Sequence, residues 1–385
     1  MSPSSETRFT SWRRILLGTV AAAGMLPALL PQTTFAQAVT GAPGGGSDAA
    51  INYANAQPMP LPQSSKAPAS LLDVLLARQR TDLGKPGVSP GRNGNGQLQQ
   101  IQLAPAKMLG DSGIGSQEYG TSNHVFTTSR ANLQGNQSSK FYPYRAAGKL
   151  FFNIGSSTYV CSASLVKRGV VVTAAHCLAN FGARQFYTNW RFVPAYNNGA
   201  APFGTWTAAN AYVLTSYFAG TDSCAVSGVV CQNDVGVIVL APQGGRYAGA
   251  STGYLGYGWN GFGFNPSNLA LITQLGYPVA LDAGKLMERT DSQGFVSAGN
   301  SNNTIIGSLQ TGGSSGGPWA VNLGLAPTLN GTSFGSESTH NIVVGVTSWG
   351  YVSTAIKQQG ASPFTSSNIV PLVNTACSFA PAACS

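Results

Sequence analysis

The chain has 385 residues and a formal charge of +9, yet charged residues make up only 9% of it and aromatic residues 10%. That length exceeds one ordinary domain, and sparse charge with abundant Gly, Ser, Thr and Asn suits a loop-rich β protein better than a helical one. The positive charge forms no basic run, which excludes a nucleic-acid-binding stripe.

Residues 1–38 read as an export signal. Arg8, Arg13 and Arg14 give the basic start, Ile15 to Leu30 the apolar stretch, and Ala36-Gln37-Ala38 a small-residue cleavage site. A membrane anchor is the competing reading, but Pro27 and Pro31 interrupt a run already short for a span. Arg13-Arg14 also fits a twin-arginine signal. Residues 39–140 are rich in Gly, Pro, Gln, Asn and Ser and offer little to bury, so a largely disordered leader is expected there. Within it, Leu71, Leu72, Leu75 and Leu76 repeat with helical spacing behind Ser70. That segment is either a transient amphipathic turn or part of a pro-segment that covers the domain behind it. Gly91 to Gly96 reads as a linker.

From Phe141 the texture changes to short apolar runs separated by Gly, Pro and Asn. Leu150–Ile154, Tyr159–Leu165, Gly169–Thr173, Val235–Leu240, Leu269–Leu275 and Ile342–Ser348 are strand candidates, several apolar on consecutive positions as in buried strands. Only Asn368 to Ala376 has a helical pattern, with Ile369, Leu372, Val373 and Ala376 on one face. Six cysteines behind an export signal imply an oxidising compartment. Their spacing favours three local pairs: Cys161–Cys177, Cys224–Cys231 and Cys377–Cys384. A zinc site from Cys161, His176 and Cys177 is the alternative for the first pair, and it lacks a fourth ligand.

Three segments carry chemistry. Val170 to Cys177 is an apolar strand that ends in small residues and then His176. Asn233 to Leu240 places Asp234 at the mouth of a fully apolar strand. Gln310 to Pro318 sets Ser315 between glycine pairs, where a turn can present a nucleophile and aim backbone N–H groups at a developing oxyanion. A serine needs a base to take its proton, and the base needs a partner that fixes its tautomer. Among the histidines, His124 lies in the polar leader and His340 beside a Ser/Thr/Asn-rich loop, both read as solvated, so His176 is the candidate base. Asp222 competes with Asp234 for the role of its partner.

Thr173-Ala174-Ala175-His176-Cys177 together with Gly313-Ser314-Ser315-Gly316-Gly317-Pro318, in the order His, Asp, Ser, resembles the trypsin/chymotrypsin-fold serine endopeptidases. Tyr142-Pro143-Tyr144-Arg145 ahead of Gly148–Phe152 is closest in texture to the bacterial glutamyl-endopeptidase (V8-like) branch. The resemblance runs from about Phe141 to the C-terminus. It implies an all-β fold of two antiparallel six-stranded barrels with a C-terminal helix, the first barrel over about 141–245 and the second over about 246–385. It implies His176, Asp234 and Ser315 as a catalytic triad, with the N–H groups of Gly313 and Ser315 as the oxyanion hole. The Cys161–Cys177 bridge resembles the one that ties down the histidine strand, and closing such a loop is worth roughly 3 kcal/mol.

Ser348-Trp349-Gly350 matches the family strand that pairs with the substrate backbone and lines the specificity pocket. In that family the residue six before the nucleophile forms the pocket floor, which the resemblance places at Leu309, with Gln310 beside it. Leucine supplies no carboxylate for a substrate Arg or Lys, and Thr347 stands where the glutamyl branch places a histidine. A charged side chain without a compensating charge is costly to bury, so cleavage after uncharged residues is expected, with glutamate next through a hydrogen bond from Thr347 or Gln310. Ser314 departs from the aspartate by which many animal relatives bind a new N-terminal amine, so any precursor must switch by another route, such as unblocking the cleft. The expected protein is a secreted or periplasmic monomeric serine endopeptidase whose partners are polypeptide substrates. It uses no metal or organic cofactor, no nucleic acid and no membrane once the signal is removed. Its activity rises from mildly acidic to neutral pH as the base loses its proton. A catalytically silent binding protein on the same fold is the alternative. Asn136, Asn302 and Asn330 head formal glycosylation sequons.

Overall fold

The computed structural model describes residues 37–45, 50–65, 84–104, 124–132, 137–297, 300–324 and 340–385. Most of the predicted signal, the Ser70–Arg80 segment, Asn136 and Asn330 lie outside the described residues.

The apolar runs behind Phe141 form a closed ring of six antiparallel strands: β1 (Ala147–Ile154), β2 (Ser157–Lys167), β3 (Val170–Thr173), β4 (Thr188–Pro194), β5 (Trp206–Leu214) and β6 (Gly236–Leu240). β1 pairs with β2, β2 with β3, β3 with β6, β6 with β5, β5 with β4, and β4 returns to β1. A second ring follows: β7 (Leu269–Gly276), β8 (Glu288–Ser297), β9 (Asn300–Gly307), β10 (Pro318–Val321), β11 (Ile342–Tyr351) and β12 (Gln358–Pro363). It closes through β7–β8, β8–β9, β9–β12, β12–β11, β11–β10 and β10–β7. Closure leaves no strand of either ring with a bare edge, so even polar stretches such as Gln358–Pro363 are held by their backbone.

The helix Ile369–Phe379 starts where Asn368 Oδ1 accepts the N–H of Ile369 at 2.5 Å, and Pro371 is tolerated because it sits in the first turn. Its buried face, Ile369, Leu372, Val373 and Ala376, joins the core of the first barrel. Each such leucine or isoleucine contributes about 2 kcal/mol by leaving water. The Cys377–Cys384 bridge staples the helix end.

Between the barrels, Lys149 of β1 is buried, and its Nζ donates to the Gly284 carbonyl at 2.8 Å. The rings of Tyr196, Phe151 and Tyr277 lie 4.8, 5.4 and 5.9 Å from the ammonium. Burial pushes its pKa down to about 7.

The leader departs from its composition. Among its described residues, Val39–Pro43 extends the first sheet antiparallel to β5, and Gly87–Ser89 pairs with Gly256–Trp259, a strand that itself runs parallel to β11. Ile101–Gln102 pairs with Ala200–Ala201, and Phe126–Arg130 pairs with β8. The expected linker around Gly91–Gly96 is bound rather than free: Arg92 N–H donates to Tyr254 O, and Arg145 Nη2 donates to Asn93 Oδ1 and Gly94 O. Main-chain pairing holds these segments, and scattered apolar side chains join it: Phe126 is buried, Tyr53 lies 4.9 Å from Phe151, and Met59 and Val88 pack against the cores. Composition registers neither contribution, because the pairing uses groups every residue carries and the apolar anchors are isolated.

Candidate active site

β3 and β6 pair with Thr173 opposite Gly236. Continuing that register beyond the strand ends sets His176 against the Asn233–Asp234 step. A one-turn 3-10 helix, Ala175–Cys177, carries the histidine, and the Cys161–Cys177 disulfide fastens that turn to β2. With both sulfurs in one bond, the zinc alternative loses two of its three donors. The other spacing-favoured pairs, Cys224–Cys231 and Cys377–Cys384, are also joined.

Asp234 is buried and fully engaged. Its Oδ2 accepts from His176 Nδ1 at 2.7 Å and from Ser348 Oγ at 2.6 Å, while Oδ1 accepts the His176 backbone N–H at 2.8 Å. These bonds fix the imidazole with Nδ1 toward the carboxylate and leave Nε2 as the working nitrogen. Asp222 is not at the histidine. Its oxygens accept from the backbone and side chain of Asn233 at 2.8 and 2.7 Å, and burial pushes its pKa up to about 6.

Ser315 lies in the loop between β9 and β10. Two glycines there are obligatory. Gly313 has φ +90°, and a Cβ on it would meet the Tyr277 carbonyl at 2.6 Å. At Gly316, φ is +75° and a Cβ would lie 1.9 Å from Thr173 Oγ1. The second contact locks the serine loop against the strand end that carries His176. Ser315 O accepts from Ser162 N, and Gly316 N donates to Thr347 O, beside Ser348. Ser315 Oγ and His176 Nε2 are both buried, and neither has a hydrogen-bond partner among the described residues.

Ser314 shows how the loop is held without an aspartate. Its hydroxyl donates to Thr311 O at 2.7 Å, and Gln359 Nε2 donates to Gln310 O at 2.7 Å.

Leu309, Gln310, Ser308, Gly350, Gln358 and Gln359 line a cavity of about 800 Å³ beside the serine loop, with Lys357 on its wall. Thr347 is buried behind it, with Oγ1 accepting from Gln274 Nε2 at 2.8 Å and Trp319 Nε1 at 2.9 Å. Trp349 packs away from the cavity, its Nε1 on Asn303 Oδ1 at 2.7 Å. His124, expected in solvent, instead bonds Gln293 O at 2.7 Å and lies tilted against Phe295, with ring centres 5.2 Å apart. Of the pocket's polar side chains, Gln310 was expected from the sequence, while Lys357, Gln358 and Gln359 were not, because β12 has no apolar signature that would locate it.

Two closed six-stranded barrels thus carry the His176–Asp234 pair at the strand ends of the first and the glycine-flanked Ser315 loop on the second. The fold is that of the trypsin-like serine proteases. Solved structures similar to this chain include the protease Anisep from Arthrobacter nicotinovorans, 29% identical over 61% of this chain and 96% of that one, with a TM-score of 0.47. A thermostable serine protease, AL20, from an extremophilic microorganism is 24% identical over 61% and 96%, with a TM-score of 0.47. A Glu endopeptidase in complex with MPD is 18% identical over 65% and 96%, with a TM-score of 0.46. No protein-family model and no curated protein sequence matches the chain.

Proposed function

We propose that the chain is an exported serine endopeptidase made as a precursor, with residues 1–38 as signal, 39–140 as pro-segment and 141–385 as protease domain. The observation that carries this reading is the buried His176–Asp234 pair bonded at 2.7 Å, with Ser315 Oγ and His176 Nε2 both buried and without a hydrogen-bond partner among the described residues. In the reaction, Ser315 Oγ attacks the peptide carbonyl carbon while His176 Nε2 takes its proton. The oxyanion accepts hydrogen bonds from the N–H groups of Gly313 and Ser315, each worth about 3 kcal/mol in the transition state. His176 returns the proton to the departing amine, leaving an acyl-enzyme, and a water deprotonated by the same nitrogen hydrolyses it. Asp234 holds the imidazole and stabilises its cationic form.

The neutral lining of the cavity, Leu309 with Ser308, Gln310, Gln358 and Gln359, supports cleavage after uncharged residues. Lys357 on the same wall favours a second reading, cleavage after an acidic residue. The three disulfides fit an oxidising compartment outside the cytoplasm, and no helix among the described residues is long and apolar enough to cross a membrane.

Fluorophosphonate labelling tests the reading, on the full chain and on the form that accumulates after processing. A covalent adduct on Ser315, absent in Ser315→Ala, is expected in the processed form. A processed protein that forms no adduct and cleaves no peptide is the silent binding protein instead.

A further inference from the structure

We propose that leader residues Gln57–Ser64 are a built-in peptide inhibitor that fills the substrate cleft with its chain running backward, from the leaving-group side to the pocket side. The proposal rests on the endopeptidase reading above and concerns how that site is held shut.

The segment Gln57-Pro58-Met59-Pro60-Leu61-Pro62-Gln63-Ser64 touches both walls of the cleft. Gln57 and Pro58 pair in parallel with Tyr159 and Val160 of β2, and the Met59 N–H donates to Val160 O at 2.9 Å. The Met59 carbonyl then accepts the Gly313 N–H at 3.2 Å, one of the two donors assigned to the oxyanion. Beyond it, Leu61 covers Gly350, where a Cβ would strike its Cδ2 at 2.8 Å. Pro62 O accepts from Gly350 N at 2.9 Å and Ser64 O from Val352 N at 3.1 Å, while Gln63 and Ser64 pair in parallel with Gly350 and Tyr351 of β11. Pro58, Pro60, Leu61 and Gln63 wall the cavity that would receive the substrate side chain.

Chain direction decides whether this is a substrate or a plug. In a productive complex, the residue before the cut bond enters the cavity beside Gly350. The residues ahead of it therefore follow β11, and the departing amine lies toward His176 and the Cys161 end of β2. The leader does the opposite: its earlier residues lie on β2 and its later ones on β11. The nitrogen that follows the Met59 carbonyl therefore points toward the cavity, away from the proton donor. That nitrogen belongs to Pro60, so it also carries no hydrogen for a backbone bond to the cleft. Prolines at 58, 60 and 62 preset an extended chain that loses little entropy on docking. The segment thus uses the cleft's donors while its own peptide bonds stay out of reach of the reaction.

Both tests use the full chain. The six native cysteines are all paired, so new thiols report their own neighbours. Backward docking predicts disulfides in Ser64→Cys/Tyr351→Cys and in Gln57→Cys/Tyr159→Cys, and none in Gln57→Cys/Tyr351→Cys. A bridge only in the third pair means a substrate-like direction, and no bridge in any pair means the leader is not in the cleft; either overturns the proposal. The second test is the rate of fluorophosphonate labelling at Ser315. Leu61→Asp, or Pro60→Gly with Pro62→Gly, is expected to raise it about tenfold or more over the unaltered chain by releasing the occupied fraction. Equal rates overturn the inhibition and leave the endopeptidase reading intact. Absence of labelling in every form overturns the endopeptidase reading, while the disulfides still report where the leader lies.

Discussion

Ser348 Oγ donates to Asp234 Oδ2 at 2.6 Å, on the same oxygen that His176 Nδ1 meets at 2.7 Å. The carboxylate is therefore gripped from both barrels, by β11 on one side and by the histidine turn on the other. Asp234→Asn keeps the shape but offers the imidazole the wrong partner, and kcat on a peptide amide should fall by about 10⁴. Ser348→Ala removes one bond to a charged group, about 2 kcal/mol, so kcat/KM should fall by roughly tenfold to a hundredfold. Both variants should unfold within a few degrees of the parent. An Asp234→Asn enzyme with parental activity would remove Asp234 from the site.

The buried Lys149 gives a pH signature in stability. Its pKa is about 7 in the folded protein and about 10.4 when unfolded. The unfolded chain therefore binds more protons between those values, so stability climbs as pH rises through that window and is lost as pH falls through 7. Lys149→Met removes the term and keeps the volume. It should raise the melting temperature most at pH 6, with the gain shrinking toward pH 10. A gain that grows with pH would contradict the buried-cation account.

Cys161→Ser with Cys177→Ser should destabilise the fold by roughly 3 kcal/mol, read by denaturant unfolding. Because the bridge also fixes the turn that carries His176, kcat should drop at temperatures where the variant remains folded. Unchanged kcat would limit the disulfide to stability.

Cleavage of a mixed peptide library should centre on uncharged residues before the cut bond. Thr347 Oγ1 already accepts two bonds and donates a third to Gly317 O at 3.4 Å, leaving nothing for a substrate carboxylate. Dominant cuts after glutamate that vanish in Lys357→Ala would transfer the specificity to that lysine. Dominant cuts after Arg or Lys would contradict the pocket's composition.

N-terminal sequencing of the active form should find a start near Phe141. That point follows the last described leader strand, Phe126–Arg130, and precedes β1 at Ala147. A start before residue 100 would mean that the leader segments belong to the working enzyme.

Much of the site was legible because it sits where strong local signals end. Val170–Thr173 and Val235–Leu240 are unmistakably buried strands, and His176 and Asp234 mark their mouths. The Ser315 loop is legible because Gly313 and Gly316 occupy positions closed to any side chain. The strands Glu288–Ser297, Asn300–Gly307 and Gln358–Pro363 were not legible. Their polar side chains bond to neighbouring strands of the barrel, as Gln359 Oε1 does with Gln274 Nε2 of β7 at 2.5 Å and Asp291 Oδ1 with Thr273 Oγ1 of β7 at 2.6 Å, so no apolar alternation marks them. The leader was hidden for a related reason: much of its order comes from carbonyls and N–H groups that every residue carries, and its apolar anchors, such as Phe126 and Tyr53, are isolated in the sequence.

Among the described residues, six short strands of the leader pair with the domain behind it, none longer than five residues. Each stretch alone is a weak ligand, but joined in one chain they rebind faster than they separate, because the tether keeps the local concentration of each high. A cut near Phe141 would remove none of these contacts, so its expected product is a clasped pair rather than an open cleft. A later cut between two docking stretches breaks the avidity instead, splitting one tight ligand into several loose ones. The number of cuts, more than the position of the first, then sets when the protein becomes accessible to other chains.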